Sequence, residues 1–516
     1  MTTITAGTTA SFQLGPFDTI TISAGSARGS IALTSSTPKL VADQTLSVAS
    51  GTFGPWGAPM SAVMSVTQGS ADYVVTSRSA TVDQNSAMQT LVSTPGKFLG
   101  GRRVARIFFG RMGTLDNSTQ KTFHIAAEMA QHFDAISPVF VNTSATISPY
   151  FQAKLSVAGA WGDGNNSAGT WTTVTNDGND TAWPLKVAGP GGQRTSYTVA
   201  KPIALRSVAR SDGGTFPLIF CRAYCVDPNA ALPAYGNGGT DVLTGWATRT
   251  TGRRWAARQQ NGDAITTPSN FTSTTDVSQS PVVGFVYWSR GAVVGISTCA
   301  DSAGNGQNNS PDVLLTGEGW AVPLANQLAS FSGIPVEYSN FSVAGEESVN
   351  LSTGTGFYQR ALDMLRDDMI RPDLLMVPSG SFNPIGGSLT AAIVDKQATI
   401  LRSVLDEAAK ANVRALVYTW MPVTTTANAY GATDALRVAH NAETLALFPS
   451  TGTGWNAQRA IGAADFSTAI SGATVGGMVQ IAAGLTIDNV HANDAGNALL
   501  TAAALPVAKT LLFGSV

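Results

Sequence analysis

The sequence predicts an α/β domain with a doubly wound parallel sheet at its C-terminal end, preceded by β-rich regions. Two observations carry this prediction. After Gly291, short apolar runs alternate with helical patterns of ten or more residues, which is typical of βαβ units. Before Gly291, short strand-like segments are separated by Gly, Pro and Ser, and the 53 glycines of the 516-residue chain imply many turns.

The C-terminal elements follow from apolar runs and helical periodicity. The predicted strands are Val293–Ser297, Pro335–Phe341, Leu374–Val377 and Val413–Tyr418. The predicted helices are Trp320–Phe331, Phe357–Arg371, Ser388–Asn412, Asp434–Leu447 and Ala495–Leu511. A sheet of this kind binds ligands at the carboxyl ends of its strands, so functional residues are expected there.

The rest of the chain is predicted to be mostly β. Residues 1–110 form a β-rich N-terminal region suited to attachment or assembly, residues 111–290 a sandwich or jelly-roll-like accessory domain, and residues 291–516 the α/β domain. The predicted strands are Thr19–Ser23, Lys39–Val48, Ala71–Thr76, Val104–Phe109, Pro217–Val226 and Val282–Trp288. One helix is predicted at Ser118–Phe133.

The composition excludes several partners. Charged residues are 12% of the chain, the net charge is -2 and no Lys/Arg block is present, so nucleic acid and anionic membranes have little electrostatic support. No apolar run reaches the ~18 residues of a membrane span, and Met1–Thr9 lacks the features of a secretory signal. Cys221 and Cys225 lie on one predicted strand, too far apart to bridge, and are expected to be buried free thiols.

Two motifs carry the candidate chemistry. The first, Cys299–Gly304, places Ser302 on the turn after a strand, where its hydroxyl is exposed and its N–H can meet an oxyanion. The second, Asp488–His491, precedes the last helix and contains one of only four histidines in the chain. A serine nucleophile needs a base, and that base needs a carboxylate to fix its tautomer. Alternatively, Ser302 lies in an ordinary turn, and Asp488 caps the helix beside a surface histidine.

Taken together and in this order, the two motifs resemble the SGNH (GDSL-type) hydrolase family over about residues 291–516. The segment from Ile487 to Leu500 is very similar to the final block of that family, while the usual Gly-Asp-Ser stands here as Ala300-Asp301-Ser302. The resemblance implies a three-layer α/β/α fold and serine esterase activity, with Ser302 as nucleophile, His491 as base and Asp488 as its partner. It implies no metal and no cofactor.

The resemblance also implies an oxyanion hole. In this family the N–H of the nucleophilic serine is joined by a glycine N–H and an asparagine side chain. Gly345 is the candidate glycine, and Asn350 matches less well. The family's Gly-x-Asn-Asp stands here as Gly-Ser-Phe-Asn from Gly380 onward, with one extra residue, so Asn383 can serve only if the loop bulges. The alternative is a purely structural turn asparagine, in which case Ser381 or Asn350 is the next candidate donor.

A metal site and a sugar surface are competing expectations for the accessory region. His124, Glu128 and His132 are spaced i, i+4, i+8 on the predicted helix and could ligate zinc, although an ordinary polar face has the same pattern. Seven tryptophans precede residue 291, and exposed indoles on β-loops suit stacking on sugars, although most of the seven are expected to be core residues or loop anchors. These tryptophans are Trp56, Trp161, Trp171, Trp183, Trp246, Trp255 and Trp288.

The resulting hypothesis is an esterase for acetyl or other short acyl esters, with an O-acetylated polysaccharide as the favoured substrate. The Gly/Ser/Thr-rich N-terminus resembles the start of bacteriophage tail-fibre and tail-spike proteins, and Arg210–Thr215 is similar to segments of phage-type esterases. This resemblance implies a place in the virion, with other virion proteins and copies of this chain as partners. The alternatives are a glycan-binding phage adhesin with an inactive hydrolase domain, and a cytoplasmic short-chain carboxylesterase.

Overall fold

The computed structural model describes residues 2–14, 19–35, 44–53, 60–76, 104–108, 113–115, 120–142, 148–160, 170–186, 196–226, 232–234, 255–272, 276–277, 281–304, 319–342, 346–348, 356–381, 383, 389–424, 434–448, 460–486 and 488–514. They fall into two compact units, the first within residues 1–94 and the second within residues 95–451 and 460–516. The three-part division of the chain stays a prediction.

The first unit is a β-sandwich of two four-stranded antiparallel sheets, ordered β1-β8-β3-β6 and β2-β7-β4-β5. Its strands are β1 Thr2–Thr5, β2 Thr9–Leu14, β3 Thr19–Ser23, β4 Arg28–Ser35, β5 Gln44–Ser47, β6 Gly51–Phe53, β7 Met60–Gln68 and β8 Ser70–Thr76. Ile20 and Ile22 of one sheet pack in the same core as Ile31 and Leu33 of the other. Alternating apolar residues therefore hold the two sheets together.

The second unit begins with another β-sandwich. Its strands are β9 Val104–Phe108, β10 Gly113–Leu115, β11 Lys121–Glu128, β12 Phe133–Asn142, β13 Tyr150–Ala158, β14 Thr172–Thr173, β15 Trp183–Pro184, β16 Ser196–Val199, β17 Leu218–Cys225, β18 Leu232–Ala234, β19 Trp255–Asn261, β20 Asp276–Val277 and β21 Val282–Ser289, with a 3-10 turn at Pro268–Asn270. One sheet has the order β14-β13-β17-β11-β19-β20, with β15 also paired to β13, and the other β16-β12-β21-β9. β10 pairs with β18.

The predicted helix at Ser118–Phe133 is wrong, because this segment forms β11 and the turn that leads into β12. Residues 122–128 are all buried, so one side of the strand faces the core between the sheets and the other side is covered as well. The alternation that would have marked a half-exposed strand is therefore missing.

The prediction for Cys221 and Cys225 is confirmed, since both are buried free thiols on β17.

The C-terminal region contains a five-stranded sheet in which every pairing is parallel, with the order β23-β22-β24-β25-β26. Its strands are β22 Val294–Thr298, β23 Val336–Asn340, β24 Leu374–Pro378, β25 Arg414–Tyr418 and β26 Ile461–Ala464. A two-stranded hairpin follows, made of β27 Ser471–Val475 and β28 Met478–Ile481. The order reverses between β22 and β24, and parallel sheets bind ligands at such a switch point.

Helices cover both faces of this sheet. They are α1 Ala321–Ser332, α2 Phe357–Arg366, α3 Ala391–Lys410, α4 Asp434–Leu447, α5 Phe466–Ile470 and α6 Asp494–Phe513. α2 and α3 share a core with Ile461 and Ala463 of β26. A side chain on the intervening Gly462 would instead meet Val507 of α6, so α6 lies on the opposite face, and α1 packs against it. These are the three layers that the resemblance implies.

Helix α6 is long and apolar enough to cross a membrane by length and composition alone. In this structure it packs against β25 and β26, and its buried positions include Leu500, Ala504, Val507 and Leu512. The apolar character of the helix is therefore accounted for by packing in the α/β domain.

The second sandwich and the α/β domain share one hydrophobic core. Val286 and Trp288 of β21 belong to the same buried cluster as Phe357 of α2. Glu337 of β23 also accepts a hydrogen bond of 2.6 Å from the Tyr287 hydroxyl, and both side chains are fully buried. The sheet that carries the site described below is thus braced by the sandwich that precedes it.

Candidate active site

Ser302 lies in the turn that follows β22. The Ala303 N–H donates to Asp301 Oδ1 at 3.0 Å, an aspartate turn that carries the chain away from the sheet. Gly304 is required by packing, because a Cβ at this position would lie 2.5 Å from Ala300 Cβ. The hydroxyl of Ser302 is thereby held at the carboxyl end of β22, next to the switch point of the sheet.

The segment Asp488–His491 folds back on itself. Asn489 has φ 71°, in the left-handed region that asparagine tolerates better than most residues. Asp488 Oδ1 accepts hydrogen bonds from the N–H groups of Val490 and His491, at 3.0 and 2.7 Å. The cap of α6 is Asn493, so the alternative in which Asp488 caps that helix is wrong.

The structure brings Ser302, His491 and Asp488 together in one hydrogen-bonded line. His491 Nε2 lies 2.7 Å from Ser302 Oγ, and His491 Nδ1 lies 2.5 Å from Asp488 Oδ2. A carboxylate can only accept a hydrogen bond, so Nδ1 carries the ring proton. Nε2 is then the acceptor of the Ser302 hydroxyl proton, which is the arrangement that a general base requires.

Asp488 is held in its ionised form. Burial opposes ionisation, but hydrogen bonds from the His491 N–H, the His491 ring and the Val490 N–H outweigh it. Together they lower the pKa of the carboxyl from its ordinary 3.8 to about 2. The carboxylate can therefore stabilise a positive charge on His491 throughout the neutral pH range.

The loop after β24 lies against the Ser302 turn. The Ser381 hydroxyl donates to Asp301 Oδ2 at 2.5 Å, and both residues are buried. The Asn383 N–H donates to Ser381 Oγ at 3.2 Å, and Asn383 Nδ2 donates to the Glu346 carbonyl at 2.8 Å. Asn383 is thus brought to the loop that follows β23 despite the extra residue after Gly380.

Three of the five oxyanion candidates lie within the described residues. Ser302 and Asn383 are placed as above, whereas Gly345 and Asn350 lie outside the described residues. Asn383 uses one N–H of its side-chain amide on Glu346, and its second amide N–H has no partner among the described residues. The Ser381 hydroxyl is committed to Asp301 and is not a free donor.

A small cavity lies between the Ser302 turn, at Asp301 and Ala303, and the ends of β24 and β25. Its volume is about 20 Å³, roughly the room that one water or one methyl group needs. A Cβ on Gly380 would lie 2.4 Å from the Trp420 ring, so only glycine allows this close packing. The wall includes Ala303, Gly380, Trp420, Met421, Pro422 and Val490.

The residues of the alternative metal site have other partners. His124 Nδ1 accepts from Arg222 Nε at 3.1 Å, and Glu128 pairs with Arg210 at 2.8 Å. His132 lies in the turn before β12, with Nδ1 2.9 Å from Ser207 Oγ. The three residues do not share a helix face, and within the described ranges no group of three metal-ligating side chains is present.

The tryptophans give little support to a sugar surface. Trp183 and Trp288 are buried core residues, and Trp171 is half-buried against the Arg222 guanidinium. Trp56, Trp161 and Trp246 lie outside the described residues, and the side chain of Trp255 is not described. Trp183 and Trp288 are thus core residues, as expected for most of these tryptophans, and none of the three described side chains is fully exposed.

Sequence reasoning missed the network around Asp301. Asp301 was present in the motif only as the residue before the nucleophile, and Ser381 only as a reserve oxyanion donor in an irregular loop. Burial raises the pKa of Asp301, although hydrogen bonds from Ser381 and Ala303 and the nearby His491 lower it. A polar residue next to a nucleophile and a serine in a glycine-rich loop were the only signals in the sequence.

No protein-family model and no curated protein matches this sequence. Among solved structures, a GDSL-like lipase from Bacteroides thetaiotaomicron is 15% identical over 42% of this chain and 88% of its own, with a TM-score of 0.29. The psychrotrophic esterase EstA from Pseudoalteromonas sp. is 15% identical over 42% and 98%, with a TM-score of 0.30. A family two carbohydrate esterase from Cellvibrio japonicus is 9% identical over 79% and 98%, also at 0.30. At these TM-scores the likeness carries no conclusion about this chain.

Proposed function

We propose that this protein is a serine esterase that works through an acyl-enzyme. The observation that carries the proposal is the line Ser302 Oγ, His491 Nε2, His491 Nδ1, Asp488 Oδ2, with contacts of 2.7 and 2.5 Å at the carboxyl end of a parallel sheet. A serine, a base and an orienting carboxylate in this geometry are the requirements for nucleophilic acyl transfer.

The reaction has two halves. Ser302 Oγ attacks the ester carbonyl while its proton passes to His491 Nε2, and the collapse of the tetrahedral intermediate returns that proton to the leaving alcohol. Water then attacks the acyl-Ser302 ester, with His491 accepting its proton and passing it to Ser302 as the acid is released. Asp488 stabilises the imidazolium in both halves and stays ionised.

The negative oxygen of each intermediate needs preorganised donors. We assign this role to the Ser302 N–H, the Asn383 side-chain amide and the Gly345 N–H. The bond from Asn383 Nδ2 to the Glu346 carbonyl supports the assignment of Asn383, because it ties the amide to the loop that contains Gly345.

Replacing Asn383 with alanine is expected to lower kcat by ~10²–10³, with KM nearly unchanged, because an oxyanion donor acts in the transition state. Steady-state kinetics and a melting curve on the same variant test this. If Asn383 only shapes the turn, stability falls by ~1 kcal/mol and kcat is kept.

The substrate we favour is an acetyl ester of a neutral, hydroxyl-rich compound such as an O-acetylated carbohydrate. The cavity of about 20 Å³, lined by the residues on either side of Ser302, supports a short acyl group, because it has room for a group of about methyl size. The net charge of -2 and the 12% of charged residues favour an uncharged partner over a polyanion.

Acyl chain length is the experiment that tests the proposed activity. We expect hydrolysis of p-nitrophenyl acetate, with kcat/KM at least ~10-fold lower for the octanoate ester. Val490→Ala should raise the rate on the butyrate ester relative to acetate by about threefold or more, because it enlarges the cavity. Val475, exposed on the hairpin, offers the matched control Val475→Ala, which should leave the ratio unchanged. No turnover of any ester would favour the glycan-binding alternative.

A further inference from the structure

Within the described part of these loops, the Ser381 hydroxyl joins the nucleophile turn to Asn383. It donates to Asp301 Oδ2 at 2.5 Å and accepts from the Asn383 N–H at 3.2 Å. Asp301 Oδ1 in turn accepts the Ala303 N–H at 3.0 Å, on the far side of Ser302. A continuous run of three hydrogen bonds therefore connects the backbone on both sides of Ser302 with that of Asn383.

The backbone of Ser381 is anchored independently of its side chain. Its N–H donates to Gln397 Oε1 at 2.8 Å, and its carbonyl accepts from Gln397 Nε2 at 3.2 Å. Gln397 lies on α3 and is fully buried. The side-chain hydroxyl is consequently not needed to keep this residue in place, and its two bonds act on the neighbouring loops.

Asn383 is also braced from the other side. Its amide bonds to the Glu346 carbonyl, and the Glu346 carboxylate pairs with the buried guanidinium of Arg360 on α2. With Glu346 fixed by Arg360, the position of Asn383 relative to Ser302 depends on the bridge through Ser381.

We propose that Ser381 is a positioning residue, whose hydroxyl bridges Asp301 and Asn383 and so holds the Asn383 amide and the Ser302 N–H at the spacing that one oxyanion requires. This inference rests on the proposed function. Donor placement matters steeply in such sites, since a misplacement of about 1 Å can cost ~10²-fold in rate. Burial of Asp301 strengthens the bridge, because a buried carboxylate without donors is unfavourable.

The test is a double-mutant cycle of Ser381→Ala and Asn383→Ala, measured as kcat and KM for p-nitrophenyl acetate. We expect Ser381→Ala to lower kcat about tenfold or more with KM within about twofold. In the Asn383→Ala background the same change should cost clearly less, because the group it positions is gone. Ser381→Thr, which keeps a hydroxyl, should restore most of the lost kcat.

The matched control is Ser379→Ala. Ser379 is a buried serine of the same loop whose hydroxyl bonds to Asn441 and to the Trp420 N–H, and that N–H also bonds to Asn441. Its removal should leave kcat unchanged. Should Ser381→Ala fail to fold, Ser381→Cys keeps the volume, replaces the hydroxyl with a weakly bonding thiol and enters the cycle in its place.

The outcomes separate cleanly. Full kcat in Ser381→Ala, or losses that simply multiply with those of Asn383→Ala, overturn the positioning role and leave the esterase intact. Activity that survives Ser302→Ala overturns the proposed function itself. A loss of kcat that shrinks in the Asn383→Ala background and is rescued by threonine supports the inference.

Discussion

Ser302→Ala is expected to lower kcat for p-nitrophenyl acetate by ~10⁴-fold or more, because the three residues of such a site act as a unit. The change removes a hydroxyl that bonds to His491 Nε2 within the described part of the chain, so the fold should be retained. Steady-state kinetics with a melting curve measures both effects.

Ser342→Ala is the matched control for this variant. Ser342 is a fully buried serine on the loop after β23, and within the described part of the chain its Oγ has no hydrogen-bond partner. Its removal should spare kcat. Near wild-type turnover in Ser302→Ala would show that another group is the nucleophile.

Asp488→Asn is expected to lower kcat by ~10³–10⁴ with little change in KM. The turn itself is spared, because the N–H groups of Val490 and His491 both bond to Oδ1, which an asparagine retains. Only Oδ2, the partner of His491 Nδ1, is replaced by an NH2 donor. The His491 ring then adopts the tautomer in which Nε2 carries the proton. In this form Nε2 can no longer accept the proton of Ser302.

The pH dependence of stability provides an independent check on Asp488. Its pKa is about 2 in the folded protein and is depressed from 3.8, so its stabilising contribution is present above about pH 4 and lost as the pH falls towards 2. The difference in melting temperature between wild type and Asp488→Asn should shrink as the pH falls from about 4 towards 2. A difference that stays constant from pH 4 to 2 would contradict this account of the carboxyl.

The α/β domain could be predicted closely from the sequence, and the β-rich region less so. Helix α4 begins and ends where predicted, because its amphipathic pattern is clear. β26 was missed because its sequence Ile461–Ala464 is mostly Gly and Ala, small residues that allow α6 to pack closely at Gly462. At β11, a spacing of four residues between His124 and Glu128 fits one face of a strand as well as one face of a helix.

The residues of the site could likewise be predicted only in part from the sequence. Asp488 and His491 are three residues apart, and Ser302 follows a recognisable strand, so the local sequence was enough to identify all three as candidate site residues. The bond between Asp301 and Ser381 joins residues 80 positions apart, and neither the residue types nor the local sequence pattern predicts it. Such a contact depends on which strands become neighbours, and β22 and β24 are adjacent only because the sheet order reverses there.

The most direct test of the central claim is covalent labelling with a p-nitrophenyl organophosphonate, followed by intact-mass measurement and peptide mapping. We predict one adduct per chain, located on Ser302, with loss of esterase activity in proportion to labelling. The adduct should be absent from Ser302→Ala and strongly slowed in Asp488→Asn, because the same base activates the attack. Stoichiometric labelling of another residue, or full activity in a chain labelled at Ser302, would contradict the account.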